Sequence, residues 1–316
     1  MVNKPLVSVT VLCYNFENYI SNCLLSVVQQ KTNFDFEIII GDDNSTDGSR
    51  AIIEDFAREY PDLIKTVFWD VNVGAKKNMA KVIEVSRGDY IAYCDGDDYF
   101  YPGKLQSQVD VFRKHPECAL VFHKVCIVDS FGKTLGFNGN RTKKRISSIE
   151  DLVIYGNYIT HSSKAYRRSA LSNLGFSKYS SARAIDYYCN IVNASFGSII
   201  YIDQVLGAYR KHGAGVDSAP IETKWRNFYA NHRALRAALD AGVDSAVIKA
   251  GYAAMYMRFA TIYARGRRYA TANKLMEKSF KCKYLGFRQI GFMFIIRFPV
   301  FLRFLDKLKD KKSQFS

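Results

Sequence analysis

A β-prone run that ends in three carboxylates is the feature that most restricts how this chain folds. Asp89-Tyr-Ile-Ala-Tyr93 is rich in strand formers, and Cys94-Asp-Gly-Asp-Asp98 follows directly, with Pro102 shortly after. Asp95, Asp97 and Asp98 fall within four residues, and a strand end gives them no room to spread apart. Their mutual repulsion calls for a nearby positive charge. A divalent cation with oxygen ligands, Mg2+ or Mn2+, is the simplest candidate. The alternative is an exposed acidic turn that caps the next helix.

The surroundings of the cluster favour the cation. Leu6 to Leu12 reads as a buried strand, and Glu17 to Gln30 as a helix with Ile20, Leu24 and Val27 on one face. Phe36 to Ile40 is a second strand. It ends in the turn Gly41 to Gly48, where Thr46 or Asp47 is expected to cap a helix with Ile52, Ile53 and Phe56 inward. Ile64 to Trp69 is a third strand, and Asn72 to Asn78 leads into a helix carrying Val82 and Val85. Strands alternating with helices build a parallel α/β sheet, whose ligands bind beyond the carboxyl ends of the strands. The turns after strands one, two and four carry Tyr14-Asn15, Asp42-Asp43 and Asp95 to Asp97, so three polar sites converge on one edge. Farther along, Ala119 to Ile127, Asn157 to Ala165 and Ile199 to Tyr209 are expected as strands, and Phe137 to Lys144 as a basic loop. From about residue 222 the pattern is helical, with turns at Ala241-Gly242 and Arg265-Gly266-Arg267.

A chain of 316 residues, 48% of them hydrophobic, can bury one substantial domain and carry an appendage. Its seven cysteines are scattered without a CxxC pair, so neither a disulfide framework nor a zinc site is expected, and a reducing, cytoplasmic compartment fits. The first residues pass straight into a strand and have no signal-peptide pattern. The net charge of +15 is unevenly spread. Residues 1–221 hold 25 Lys and Arg against 24 Asp and Glu, whereas residues 222–316 hold 20 against 6. Basic character confined to the last third points to an anionic membrane surface and not to nucleic acid. Within it, Leu285 to Leu305 is apolar but broken by Arg288, Arg297, Pro299 and Arg303, and Lys307, Lys309, Lys311 and Lys312 follow. No unbroken run reaches the ~20 residues of a membrane span. The segment is expected to lie in the membrane interface, or to pack on protein.

Three motifs in order resemble the family 2 glycosyltransferases, over about residues 5–215. Val7-Ser-Val-Thr-Val-Leu-Cys-Tyr-Asn15 is similar to that family's opening strand. Glu37-Ile-Ile-Ile-Gly-Asp-Asp-Asn-Ser-Thr-Asp-Gly48 and Asp95-Gly-Asp-Asp-Tyr-Phe-Tyr-Pro102 resemble its next two signatures. The resemblance implies a GT-A fold, a Rossmann-like nucleotide-binding α/β sheet. It also implies an enzyme that moves a sugar from a nucleotide-sugar to an acceptor hydroxyl, with inversion and a bound Mn2+ or Mg2+. On that resemblance Tyr14 lies against the base, Asp43 bonds the base edge and Asp42 supports the turn. Asp95 contacts ribose or metal, Asp97 ligates the metal, and Lys77 stands where the family often has Arg. Asp186, in Ala184-Ile-Asp-Tyr-Tyr188, matches the general base, although Ile185 replaces the first acid of the family's doublet. Tyr209-Arg-Lys-His212 resembles the family's YRxH, so that Arg210 neutralises the diphosphate and His212 ligates the metal or donates to the diphosphate. His161 falls among acceptor-side residues without a catalytic assignment.

The expected organisation is a GT-A domain over residues 1–221, with a donor half to about 115 and an acceptor half from about 116. A helical, basic extension covers 222–316, with a membrane-interface segment at 284–316. The implied donor is UDP-linked, delivering a hexose or N-acetylhexosamine. The implied acceptor is a glycan on a polyprenyl-diphosphate lipid at the inner membrane face, as in O-antigen or capsule synthesis. A homo-oligomer is compatible with this reading. Two alternatives stand beside it: a nucleotidyltransferase, although Cys13 to Glu17 lacks its Gly-rich phosphate loop, and a non-catalytic basic scaffold.

Overall fold

The computed structural model describes residues 4–171, 185–212, 221 and 224–297. The chain begins with β1 (Val7–Cys13), α1 (Ile20–Val28), β2 (Phe36–Asp42), α2 (Ser49–Glu59), β3 (Ile64–Phe68), α3 (Ala75–Val85) and β4 (Tyr90–Asp95). A short β5 (Tyr99–Phe100) and α4 (Lys104–Lys114) lead to the long β6 (Cys118–Val128), β7 (Thr134–Asn138), β8 (Ile146–Ser147) and α5 (Ile149–Tyr155). A 3-10 turn at His161–Ser163 precedes β9 (Lys164–Arg167) and α6 (Arg168–Leu171). Then come α7 (Ile185–Ala194), β10 (Ser198–Arg210) and the helices α8 (Lys224–Asp240), α9 (Ser245–Arg265), α10 (Tyr269–Cys282) and α11 (Phe287–Arg297). Among the described residues no helix is long and apolar enough to cross a membrane.

The strands form one mixed sheet in the order β3-β2-β1-β4-β9-β6-β10-β5. β1 pairs in parallel with β2 on one side and β4 on the other, so the strand order reverses at β1. Helices that leave neighbouring strands in opposite directions open a crevice at that reversal. The register Leu12↔Asp95 sets the turn after β1 beside the acidic turn after β4. β9 runs antiparallel between β4 and β6 and carries the sheet across to its second half.

The central strands are continuous apolar runs because both sheet faces are covered. On one side Val7, Val9, Val11, Ile38 and Ile40 pack with Ile20 and Leu24 of α1 and Leu105, Val109 and Phe112 of α4. On the other, Tyr93, Leu120, Phe122 and Tyr166 share a buried cluster with Tyr187 of α7, Leu235 of α8 and Met255 and Phe259 of α9. Each fully buried Ile or Leu contributes about 1.5–3 kcal/mol.

Three sequence expectations change in the structure. The first helix covers only Ile20–Val28, because Glu17 turns its carboxylate to Gly48 N and Gln30 turns its amide to Tyr101 O. The stretch 157–165 is mostly not a strand: Ser163 N and Oγ both bond Thr160 O, which closes the 3-10 turn before β9. The start of the expected loop, residues 137–138, instead belongs to β7 and pairs with β6. The turns at Ala241-Gly242 and Arg265-Gly266-Arg267 do separate helices. Helix α11 packs one side, including Gln289 and Ile296, on α9 and α10 beside Ala260, Ala264, Ala272 and Met276. Gln289 Nε2 donates to Ser279 Oγ at 2.7 Å and Lys283 O at 3.1 Å. Its other side exposes Phe287, Ile290 and Phe294. The lysine cluster beyond 297 lies outside the described residues.

At the amino ends of the strands, buried Glu37 accepts from Ser8 Oγ of β1, Lys65 Nζ of β3, and Arg87 N and Nε ahead of β4. Burial pushes its carboxyl up, but the hydrogen bonds from Arg87, Ser8 and Lys65 outweigh it and hold the group below its ordinary value. Glu37→Gln should lower unfolding free energy by about 1–3 kcal/mol at neutral pH, by leaving charged donors without their acceptor. A depressed folded-state pKa stabilises above the unfolded value of about 4.3 and loses that contribution as pH falls. The gap between Glu37→Gln and the parent in urea melts should therefore narrow below about pH 4. A gap independent of pH contradicts the ionic assignment.

Candidate active site

The acidic turn is built on a close approach of backbone. Gly96 N donates to Leu12 O at 2.8 Å, and a Cβ at Gly96 would stand 2.9 Å from that oxygen and 3.1 Å from Phe16. Only glycine fits between the two carboxylates, so Asp95 and Asp97 emerge on either side of it. Asp98 turns inward and is 1% exposed. Its carboxylate accepts from Ser162 Oγ and, at 2.7 Å, from Arg210 N. Asp98 thereby joins the end of β4 to the end of β10 and to the 3-10 turn.

Asp97 points the other way, and its Oδ2 lies 2.8 Å from His212 Nε2. The His212 ring is held against Tyr19, with centroids 5.2 Å apart, and edge-on to Phe16 at 6.1 Å. Arg210 donates from Nε to Asp97 O at 2.9 Å and from one terminal nitrogen to Asp129 O and Ser130 O. Its guanidinium lies over Tyr19 at 4.8 Å and Tyr99 at 5.4 Å. These contacts brace the strand end and the β6–β7 tip.

Asp95, on the other side of Gly96, accepts from Ser162 Oγ at 3.4 Å. Burial first, then the charges of Asp97 and Asp186, push its carboxyl up to about 7, against the lowering influence of Lys164 and Ser162. Burial and the charges of Asp97 and Asp95 likewise push Asp98 well above the usual range. Asp186 occupies the first turn of α7, and its Oδ2 accepts from Asn157 Nδ2 at 2.6 Å. Asn157 Oδ1 accepts from Asn190 Nδ2, one turn on, and Asn190 Oδ1 accepts from Lys164 Nζ and Tyr166 Oη. The carboxylate is thus oriented by a polar chain that reaches into the sheet.

Two fully buried lysines underlie the cluster, and the motifs did not reveal them. Lys104 Nζ donates to Ser162 O at 2.6 Å and stands 3.2 Å from the Phe100 ring centroid. Burial pushes it down to about 7, although Cys94, Asp98 and Asp95 oppose the shift. Lys164 is lowered by burial and held up by Asp186, Cys189 and Asp95. Two lysine nitrogens of the chain itself therefore stand beneath the carboxylates. Lys104 follows Pro102-Gly103 and Lys164 follows His161-Ser-Ser163, both just beyond motif residues; that adjacency was the available signal. Ser162, Asn157 and Asn190 gave none, because their roles come from long-range contacts.

The other expected residues divide by environment. Tyr14 is 44% exposed at the end of β1. Asn15 has φ 59° and accepts from Thr46 N at 2.8 Å, which locks the first turn to the second. Neither Thr46 nor Asp47 is the N-cap of α2, which is Gly48; Asp47, one residue earlier, accepts from Ser49 N and from Glu17 N. Asp42 is fully buried and accepts from Ser45 and, at 3.0 Å, from Arg50 Nε. Asp43 is also buried and accepts from Val73 N at 2.6 Å and Gly74 N at 2.8 Å, so its carboxylate holds the turn after β3. Burial raises its pKa more than those two bonds lower it. Lys77 is exposed on the first turn of α3. His161 is partly buried at the start of the 3-10 turn, edge-on to Tyr93 with centroids 3.9 Å apart, and the loss of water drives it well below its ordinary pKa.

A residue set this spread along the chain can be compared with known proteins. The uncharacterized protein Rv1520 of Mycobacterium tuberculosis is 31% identical over 227 residues, which are 72% of this chain. That match covers 62% of the mycobacterial protein, so the chain spans less than two thirds of its length. Among solved structures, S. aureus TarS 1–349 in complex with UDP-GlcNAc superposes with a TM-score of 0.65 at 17% identity, over 86% of this chain and 81% of that one. The mannosyltransferase PcManGT of Pyrobaculum calidifontis, in complex with GDP-Man and Mn2+, gives 0.56 at 18% identity, over 98% and 88%. The mixed sheet with helices after it is thus the GT-A arrangement expected from the motifs. Residues 8–175 match the model of glycosyl transferase family 2, more than half of the chain, and the chain belongs to that family.

Proposed function

We propose that this chain is a metal-dependent, inverting glycosyltransferase that moves a sugar from a UDP-linked donor to a hydroxyl of a lipid-linked glycan acceptor. The observation that carries the reading is that different elements supply two separately oriented carboxylates, Asp97 paired with His212 at 2.8 Å after β4 and Asp186 held by Asn157 at 2.6 Å in the first turn of α7. One side suits a leaving diphosphate and the other an incoming hydroxyl. The neighbours bound to UDP-GlcNAc and to GDP-Man with Mn2+ support a nucleotide-sugar donor and a divalent ion. The acceptor class and the transferred hexose or N-acetylhexosamine rest on the family resemblance.

Among the described residues no three His, Cys, Asp or Glu side chains form a metal group. Asp97 Oδ2 and His212 Nε2, 2.8 Å apart at the strand end, would nevertheless hold such an ion, an oxygen and an imidazole nitrogen being donors that Mn2+ accepts. Phosphate oxygens and water would complete such a shell. A bound Mn2+ or Mg2+ supplies charge neutralisation for the departing diphosphate. The chain's own residues do the rest. Arg210 keeps the Asp97 backbone in place, Ser162 and Asp98 fix the strand ends, and Asn157 occupies Asp186 Oδ2. Asp186 Oδ1 then receives the acceptor proton as the sugar bond forms.

Residues 222–316 and the exposed stripe Phe287, Ile290 and Phe294 support attachment to an anionic membrane surface on the cytoplasmic side. The full chain should pellet with phosphatidylglycerol vesicles, more weakly as salt rises, and poorly with phosphatidylcholine vesicles. Phe287→Ser/Phe294→Ser should weaken that binding without changing the melting temperature; parent-like binding by the pair excludes this face as the anchor.

Asp97→Ala should abolish Mn2+-dependent binding of UDP in titration calorimetry, and EDTA should do the same to the parent. Undiminished transfer by Asp97→Ala, or in excess EDTA, overturns the metal reading. Asp186→Asn should slow turnover by on the order of 10²–10⁴ while UDP binding stays unchanged. Near-normal turnover, or lost UDP affinity, removes Asp186 from the base role.

A further inference from the structure

The tip of the β6–β7 hairpin holds a large apolar side chain out of the protein by a well-built turn. Asp129 N donates to Lys133 O at 2.9 Å, and the Asp129 carboxylate accepts from Phe131 N and Lys133 N, each at 2.9 Å. Gly132 takes φ +87° between them. Arg210 fastens the same turn from below through Asp129 O and Ser130 O. Phe131 is nevertheless 95% exposed, and Leu135 and Phe137 of β7 are 57% and 58% exposed. A floppy loop can expose an aromatic ring without consequence, but a turn with this many internal bonds fixes the ring in water. Apolar side chains presented together in this way mark an interaction surface.

The charge around the hairpin identifies the partner. Lys133, Arg141, Lys143 and Arg145 are all exposed. Lys124 Nζ lies 5.6 Å from the Phe137 ring centroid. Of the acids in the same stretch, Asp151 is paired with Lys144, while Asp129 and Asp203 accept only from neutral groups, the turn's own amides and Tyr201 Oη. Rings and aliphatic groups beside several exposed cations match the boundary between acyl chains and anionic headgroups. Position agrees as well. Asn138 Nδ2 donates to Thr160 Oγ1 at 3.0 Å, next to the turn that holds Asp98, so the hairpin stands at the carboxyl edge of the sheet.

We propose that the β6–β7 hairpin is a second membrane-contacting element, separate from α11, which sets the active-site edge of the sheet against an anionic bilayer. The proposal rests on the membrane reading above and adds to it where the site faces. Its partner is the lipid surface, through Phe131, Leu135 and Phe137 in the interface and Lys133, Arg141, Lys143 and Arg145 at the headgroups.

The test uses full-length Phe131→Trp, with the parent and its two tryptophans as the baseline. Vesicles of phosphatidylglycerol brominated in the acyl chains should quench the added emission, and brominated phosphatidylcholine vesicles should not. Adding Lys133→Glu and Arg141→Glu should remove the quenching, while sedimentation of the protein with the vesicles persists through α11. Phe131→Ser/Phe137→Ser should weaken vesicle affinity by on the order of tenfold. If the protein pellets with vesicles but the added emission is unquenched, the hairpin proposal fails and the membrane reading stands. If the protein does not pellet at all, both fail. If the added emission shifts with protein concentration in the absence of lipid, a second copy covers the hairpin and the proposal is overturned.

Discussion

Three carboxylates at the end of one strand cannot all be charged, exposed and unsupported, and the architecture around β4 answers that constraint. Asp98 is folded inward as a structural acceptor for Ser162 and Arg210. Asp97 is turned outward to His212. Asp95 accepts from Ser162 and is pushed up to about 7 by burial and by its neighbours. Lys104 and Lys164 lie beneath, fully buried, and the loss of water lowers the pKa of both.

Strand order turns this local balance into a site. Reversal of direction at β1 opens the crevice, and the antiparallel β9 draws the second half of the sheet close enough for Ser162 to reach the acidic turn. β10 returns alongside β6 and delivers Arg210 and His212 to Asp97 and Asp98. Asp186 arrives from α7 and is oriented through Asn157 and Asn190. Residues more than a hundred positions apart in sequence thus meet because each ends an element at the same sheet edge. The β6–β7 tip belongs to the same construction, since Arg210 holds it and the Asp97 backbone with one side chain.

Much of this was legible in the sequence, for a physical reason. Parallel strands buried on both faces are unbroken apolar runs, and the helices between them keep a separate period, so β1 to β4 and the turns beyond them could be read directly. Interrupted segments were harder. Residues 157–165 carry strand formers, yet Ser163 and Thr160 close a turn there, and local polar bonds outweighed propensity. Inward-facing polar residues were invisible for a related reason. Lys104, Lys164, Ser162 and Asn190 look like surface residues until the sheet brings their partners to them. Asp43 illustrates the converse, since its place in the signature says nothing of the Val73 and Gly74 amides that fill its carboxylate.

The most direct test of the account is a crystal structure of the chain with UDP and Mn2+, with anomalous differences measured for manganese. The account predicts one strong peak bonded to Asp97 Oδ2 and His212 Nε2, shared with the UDP diphosphate, and an open approach to Asp186 on the far side of Asp95. A manganese peak away from Asp97 and His212, or UDP seated at another edge of the sheet, would contradict it.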